Sequence, residues 1–423
     1  MPGTGPQGLA RQPRTRDFAR KRTGTSIGQH MANRAAALRS VLTLLRLATR
    51  GAAAWLRRGA DTTADQQASF EAVLTSLAGG PAARAAVADI RFVSVGGEGS
   101  GWKVTDLEVA AGHQVSVLAV GALWASKALN LHFGPRLGLW LRAGDAGPLI
   151  KTPGDAATVT MPSGGPLHIV AKPPGEWADE NGAFDEVFPR AGITGSFLVC
   201  IIVWKADAIA GLRTMLSGGD YHGIVARALA QANAPVATPK GWSYLWRLGQ
   251  GAIYADESGE HGRHIHCHTK EDVGILQFPA DFELTDTAKL QWRWKVDKLP
   301  CDLPEDIQPT HDYLSIAVEF DNGQDLTYMW SGALAEGTIF RCPLPFWDKV
   351  ETHWVLRSNP DGLGKWLNED RPVKSDYARA IGAPPARIVR VWLIAVSVFR
   401  RGEGICDYAD IELVDGDRRL RVL

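Results

Sequence analysis

The sequence predicts a mainly β chain: two β-sandwiches of the jelly-roll kind, preceded by an α-helical N-terminal segment. Three observations predict it. From about Ile90 the apolar residues recur with a period of two, in short runs separated by glycine and proline turns. Before that point, over residues 26–80, they recur at three- and four-residue steps. At 423 residues the chain is also too long for one ordinary core.

Residues 1–25 are rich in Gly, Pro, Arg and Thr and read as a disordered basic tail. Residues 26–80 read as a helical, basic, amphipathic segment. Ile27, Met31, Leu38, Leu42, Leu45 and Trp55 fall on one stripe, while Arg39, Arg46, Arg50 and Arg57 share another face. A second helix, from about Thr63 to Leu77, ends at Gly79-Gly80-Pro81. A basic amphipathic helix suits a partner protein or an anionic membrane surface.

The first sandwich spans residues 88–206. LEVAAGHQVSVLAVG (107–121) reads as two strands joined at Ala111-Gly112, and LGLWLRAG, ATVTMP, PLHIVAK and FLVCIIVW supply more. Residues 207–240 read as a helical linker, and 241–423 as a second sandwich. In the latter, Leu290, Trp292, Trp294 and Val296 alternate with Gln291, Arg293, Lys295 and Asp297, the pattern of a half-buried strand. Leu326, Tyr328 and Trp330 share a face, and Trp242, Tyr244 and Trp246 alternate as well.

Charge excludes some functions. Lysine and arginine number 46, as do aspartate and glutamate, so no global field draws the chain to nucleic acid. The five cysteines show no C-x-x-C spacing and are odd in number, which argues against a disulfide framework and a thiolate zinc site. No P-loop, dinucleotide fingerprint or G-x-S-x-G elbow is present. No run reaches the ~20 apolar residues of a membrane span, and no signal peptide is legible. The chain thus reads as cytoplasmic, or exported by a leaderless route.

Two stretches carry possible chemistry. In RHIHCH, His264, His266 and His268 fall on one face of a strand, with Ile265 and Cys267 on the other. Imidazoles so arranged suit zinc. Glu319 and Asp321 share a strand face before an Asn322-Gly323 hairpin, a pairing that would suit glycoside cleavage.

Residues 101–205 resemble the PA-I type galactose-binding lectin domain of bacteria. The likeness rests on Trp102 to Thr105, on the V-x-x-G-x-x-V-x-V-x-A-x-G run from Val109 to Gly121, on Gly134-Pro135, on Leu139 to Asp145, and on PPGEWADENGAF (173–184). The resemblance implies a galactose-binding-like sandwich. It also implies that the last loop holds calcium, with places at Lys172, Glu176, Asp179 and Glu180, and that Trp177 and Asn181 join Glu176, Asp179 and Glu180 in contacting ligand. The first place carries a lysine where the family has an acid, and the loop before the L-W-L-R strand is short.

Residues 290–415 resemble the bacterial DUF3047 family. The matching segments are LQWRWKVD with Leu299-Pro300, DYLSIAVEFD, LTYMW, Gly337-Thr338, VLRSN, DYARAIGAPP and DYADIEL. That family implies no reaction. The chain therefore reads as a non-catalytic binding protein that recognises a glycan or an envelope component. One alternative is a scaffold or coat subunit of a larger oligomeric assembly; another is an enzyme acting on polysaccharide.

Overall fold

The computed structural model describes residues 40–49, 63–96, 101–175, 177–185, 192–260, 262–358, 360 and 362–423. The expected tail, most of the first helix and Glu176 lie outside them. Met1–Leu45 and Arg46–Leu423 form two compact units. No helix among the described residues is long and apolar enough to cross a membrane.

The chain is mainly β, and the N-terminal half builds a sandwich. Val87–Gly96, Thr194–Trp204, Gln114–Ser126 and Leu131–Phe133 form one sheet in that order, with Ala156–Thr160 on Gln114–Ser126. Lys103–Val109, Gly165–Ala171, Leu139–Ala143 and Ile150–Lys151 form the other. Val117, Val199 and Ile201 meet Leu107, Leu141 and Ile169 between them. FLVCIIVW does not alternate because its strand is buried on both faces. Cys200, Ile202 and Trp204 face outward and are covered by the helices Thr63–Gly79, Ala208–Gly218 and Ile224–Asn233. The expected linker thus carries two helices, and both pack on this sheet.

The C-terminal half is a second sandwich. Its six-stranded sheet runs Tyr254–Gly259, Gly262–Lys270, Glu403–Asp415, Lys289–Lys298 and Leu367–Pro372, with Arg418–Arg421 at one side. The seven-stranded sheet runs Ser243–Tyr244, Val273–Glu283, Arg387–Val396, Leu314–Phe320, Asp325–Ser331, Glu351–Ser358 and Ile339–Arg341. Leu290, Trp292, Trp294 and Val296 fill the space between the sheets with Leu326, Tyr328 and Trp330, as their alternation predicts. Burial of each tryptophan contributes on the order of 4 kcal/mol.

The seven-stranded sheet has a second buried face. Ile275, Tyr313, Ala317, Met329, Val355, Ile394, Val396 and Phe399 belong to one continuous apolar cluster with the interior of the N-terminal sandwich. This is why VWLIAV and DLTYMWS show no alternation.

Candidate functional site

The covered face of the seven-stranded sheet carries an unusual set of polar side chains. Strand Leu314–Phe320 pairs antiparallel with Asp325–Ser331, setting Glu319 opposite Asp325. Asp325–Ser331 pairs in parallel with Glu351–Ser358, setting Asp325 opposite Glu351 and Thr327 opposite His353. Three carboxylates thus lie in a row across adjacent strands. Arg390, opposite Glu319 on the other side, extends the row.

Each acid has a different environment. Glu319 accepts from Arg390 Nη1 at 2.7 Å and from Trp392 Nε1 at 3.1 Å, which commits it to an ion pair. Asp325 and Glu351 are buried. Thr327 Oγ1 contacts both, at 3.1 Å to Asp325 Oδ1 and 3.3 Å to Glu351 Oε1. The Tyr313 hydroxyl donates to the same Glu351 oxygen at 2.9 Å. Burial, and then repulsion from Glu351, raise Asp325 well above the usual carboxylate range. Burial is the largest influence on Glu351 and pushes it upward, but His353, His311 and Cys342 together outweigh it and hold this carboxyl low, at about 2. Asp325 is thus the protonated partner of the two.

Above this floor lies a cavity of about 300 Å³ between the two sandwiches. Phe133 and Ile193 line it from the N-terminal side, and Ile394, Val396, Phe399 and Trp347 from the other. Tyr313, Gln308 and Glu351 supply its polar side. Trp347 is partly exposed and meets Trp392 edge-on, ring centroids 6.3 Å apart. Few polar groups in an apolar hollow is the usual make-up of a ligand site.

A group of possible metal ligands adjoins the cavity. His311, Cys342, Glu351 and His353 are all buried, and one donor atom from each lies within 4.8 Å of the others. None of these residues stood out in the sequence. They are spread over 43 positions: Glu351 and His353 share a strand, Cys342 follows the strand Ile339–Arg341 that pairs antiparallel with it, and His311 ends the turn Gln308–Thr310. One signal was present: in ETHWVLRS, Glu351 and His353 share the strand face opposite Trp354.

The expected sites fall elsewhere. On the histidine strand, His264, His266 and His268 share the outer face, and Ile265 and Cys267 enter the core. His266 Nδ1 lies 2.7 Å from Asp407, and His268 Nε2 lies 2.9 Å from Glu403. His264 is 3.6 Å from Glu257. His264 Nε2 also lies 4.0 Å from the Asp407 oxygen that His266 meets, but among the described residues the strand histidines form no group like the buried one. Asp321 leaves its strand at the hairpin and is exposed, so it does not join Glu319.

In the lectin-like loop, calcium finds no support. Lys172 is 1% exposed, and its ammonium lies 4.3 Å above the Trp177 ring and 4.1 Å above Phe184. This cation occupies the heart of the loop. Trp177 is fully buried, stacked on Trp102 and edge-on to Trp140. Asp179 Oδ1 accepts from the backbone N–H groups of Asn181 and Ala183, closing the turn. Glu180 and Asn181 are exposed, and the Asn181 carbonyl accepts from Arg142.

Comparison with known proteins gives one family match and several remote structural neighbours. Residues 247–412 match the family model described as protein of unknown function DUF3047. No curated protein matches the chain. The N-terminal domain of EclA, a PllA-like lectin, is 15% identical; the match covers 26% of this chain and 94% of that one, with a TM-score of 0.20. The xyloglucanase domain of NopAA from Sinorhizobium fredii is 8% identical, covering 43% and 96%, with a TM-score of 0.26. The CBM22 tandem domain of Xyn10C from Paenibacillus barcinonensis is 9% identical, covering 78% and 98%, with a TM-score of 0.20. These likenesses are too remote to speak to chemistry.

Proposed function

We propose that this chain is a non-catalytic binding protein, and that its ligand is a glycan end or short glycan segment held in the cavity between the two sandwiches. One observation carries the reading: the cavity joins an aromatic and aliphatic wall to a polar edge made by Gln308, Tyr313 and Glu351. A pyranose ring has the matching anatomy. Its C–H faces are apolar and suit the exposed side of Trp347. Its hydroxyl groups are donors, and the free lone pairs of an ionised Glu351 accept them. The lectin-like loop contributes rigidity in this reading, since Trp177 and Lys172 are buried within it.

A glycan array followed by titration calorimetry tests the proposal. The wild-type chain, assayed without chelator, binds at least one glycan class. Trp347→Ala weakens that binding about tenfold, on the order of 1.4 kcal/mol. Glu351→Gln weakens it too. Binding that survives Trp347→Ala unchanged removes the cavity from the reading, and failure to bind any glycan favours the scaffold alternative. Release of reducing ends by the wild type but not by Glu351→Gln overturns the non-catalytic part.

A further inference from the structure

The buried group beside the cavity has features that packing does not explain. His353 is fully buried; among the described residues its Nδ1 has no hydrogen-bond partner, and its Nε2 has only a 3.3 Å approach to Glu351 Oε1. Such an orphaned imidazole is costly unless something takes its lone pair. Glu351 is a buried carboxylate whose ion-pair neighbour among the described residues is His353 alone, at 3.3 Å. Aromatic rings box in the imidazoles: Phe340 stacks on His353 at 4.8 Å, and Tyr313 lies edge-on to it at 4.8 Å.

The neighbouring contacts orient the donors. His311 Nδ1 lies 2.6 Å from the Glu305 carbonyl oxygen, which only accepts, so this nitrogen carries the proton and donates. The lone pair is left on Nε2, which faces Cys342 Sγ at 3.4 Å. Tyr313 and Thr327 hold Glu351 Oε1 from the far side. Hydrogen bonds of this kind fix the tautomer and the orientation of metal ligands.

Two of the donor spacings match a tetrahedral ion, within a set that spans up to 4.8 Å. Bonds of about 2.0–2.3 Å in a tetrahedron place neighbouring donors about 3.3–3.7 Å apart. His311 Nε2 and Cys342 Sγ are already 3.4 Å apart, and His353 Nε2 and Glu351 Oε1 are 3.3 Å apart. Two imidazoles, a thiolate and a carboxylate form a borderline-soft set that suits zinc; calcium takes six to eight oxygens.

We propose that His311, Cys342, Glu351 and His353 hold one zinc ion in a closed, structural site. The ion takes one lone pair from each residue, and Cys342 gives up its proton to solvent on binding. The two negative charges of Cys342 and Glu351 then balance the dication. The ion ties the turn at His311 and the loop at Cys342 to the strand Glu351–Ser358, and so fixes the polar wall of the cavity. The inference stands apart from the glycan reading, because it needs no ligand in the cavity.

The test uses the full chain. Elemental analysis after gel filtration finds one zinc per chain. Removal by a chelator and reloading with cobalt gives the intense visible bands of a tetrahedral site and a near-ultraviolet thiolate-to-cobalt band. Cys342→Ser loses the near-ultraviolet band and keeps the visible ones. His353→Gln weakens zinc about a hundredfold in competition with a chromogenic chelator. His266→Ala leaves the metal content unchanged. Sub-stoichiometric zinc together with no cobalt spectrum from the wild-type chain overturns the proposal, whether or not the variants fold. A cobalt spectrum that Cys342→Ser and His353→Gln leave intact, and that His266→Ala abolishes, also overturns it. Glycan affinity measured with and without zinc separates this outcome from failure of the cavity reading.

Discussion

His266 shows how much one buried-edge pair decides. The hydrogen bond that its Nδ1–H donates to Asp407 is the main reason its imidazole titrates above the ordinary range, against the opposing effect of burial. Asp407 is held below its own range by His266 and Lys295, although burial acts the other way. The raised histidine contributes stability that is fully present below its unfolded value near 6.5 and is lost as pH rises through the folded one. The depressed aspartate contributes above its unfolded value and loses this as pH falls through the folded one. The pair therefore matters most in the mildly acidic range. His266→Asn is expected to lower the unfolding free energy read from urea denaturation around pH 5.5 by roughly 0.2–1 kcal/mol for a partly exposed pair, and to change little at pH 9. An equal loss at both pH values would remove charge from the explanation.

At the scale of elements, the helix Ala208–Gly218 depends on a glycine. A Cβ at Gly211 would lie 2.1 Å from Cζ3 of Trp204, whose indole is pinned by a 2.8 Å bond to Ser116 Oγ. Alanine is the better helix former by about 1 kcal/mol, yet here the clash decides. Gly211→Ala is expected to cost about 1–3 kcal/mol in chemical denaturation; a gain in stability would show that the helix rides free of the sheet. The same scale explains what could be read beforehand. Strands such as Leu290–Val296 and Arg263–His268 were legible because each has one buried and one wet face. The metal-capable group was not, since its members are ordinary in their own segments and converge only through the antiparallel pairing of Ile339–Arg341 with Glu351–Ser358 and the turn that ends at His311. The cavity was equally hidden, because a strand buried on both faces looks the same whatever covers it. In the lectin-like loop, the lysine replacing an acid was visible in the sequence. That its chain would fill the loop against Trp177 and Phe184 required the fold.

At the scale of the whole molecule, the two sandwiches share an apolar cluster running from Val199 and Ile201 to Ile394, Val396 and Phe399. Cutting the chain before residue 241 would bare that face. The excised segment 241–423 is expected to bind a hydrophobic dye and to aggregate. In the intact chain, tryptophan fluorescence and far-ultraviolet signals should lose native structure together. Separate transitions, with a monomeric, dye-silent segment, would show the halves to be independent. The five cysteines, all buried and unbridged, give this architecture its own clock. Burial pushes the Cys301 thiol up to about 12 and those of Cys200, Cys267 and Cys406 upward as well, so none of these four is a ready nucleophile in the closed chain. An alkylating reagent can reach them only when a region breathes. Cys200 times the helix-covered sheet, Cys267 and Cys406 time the outer sheet, and Cys342 times the wall of the cavity. Labelling followed by mass spectrometry would then order these openings from most to least frequent in the unmodified native protein.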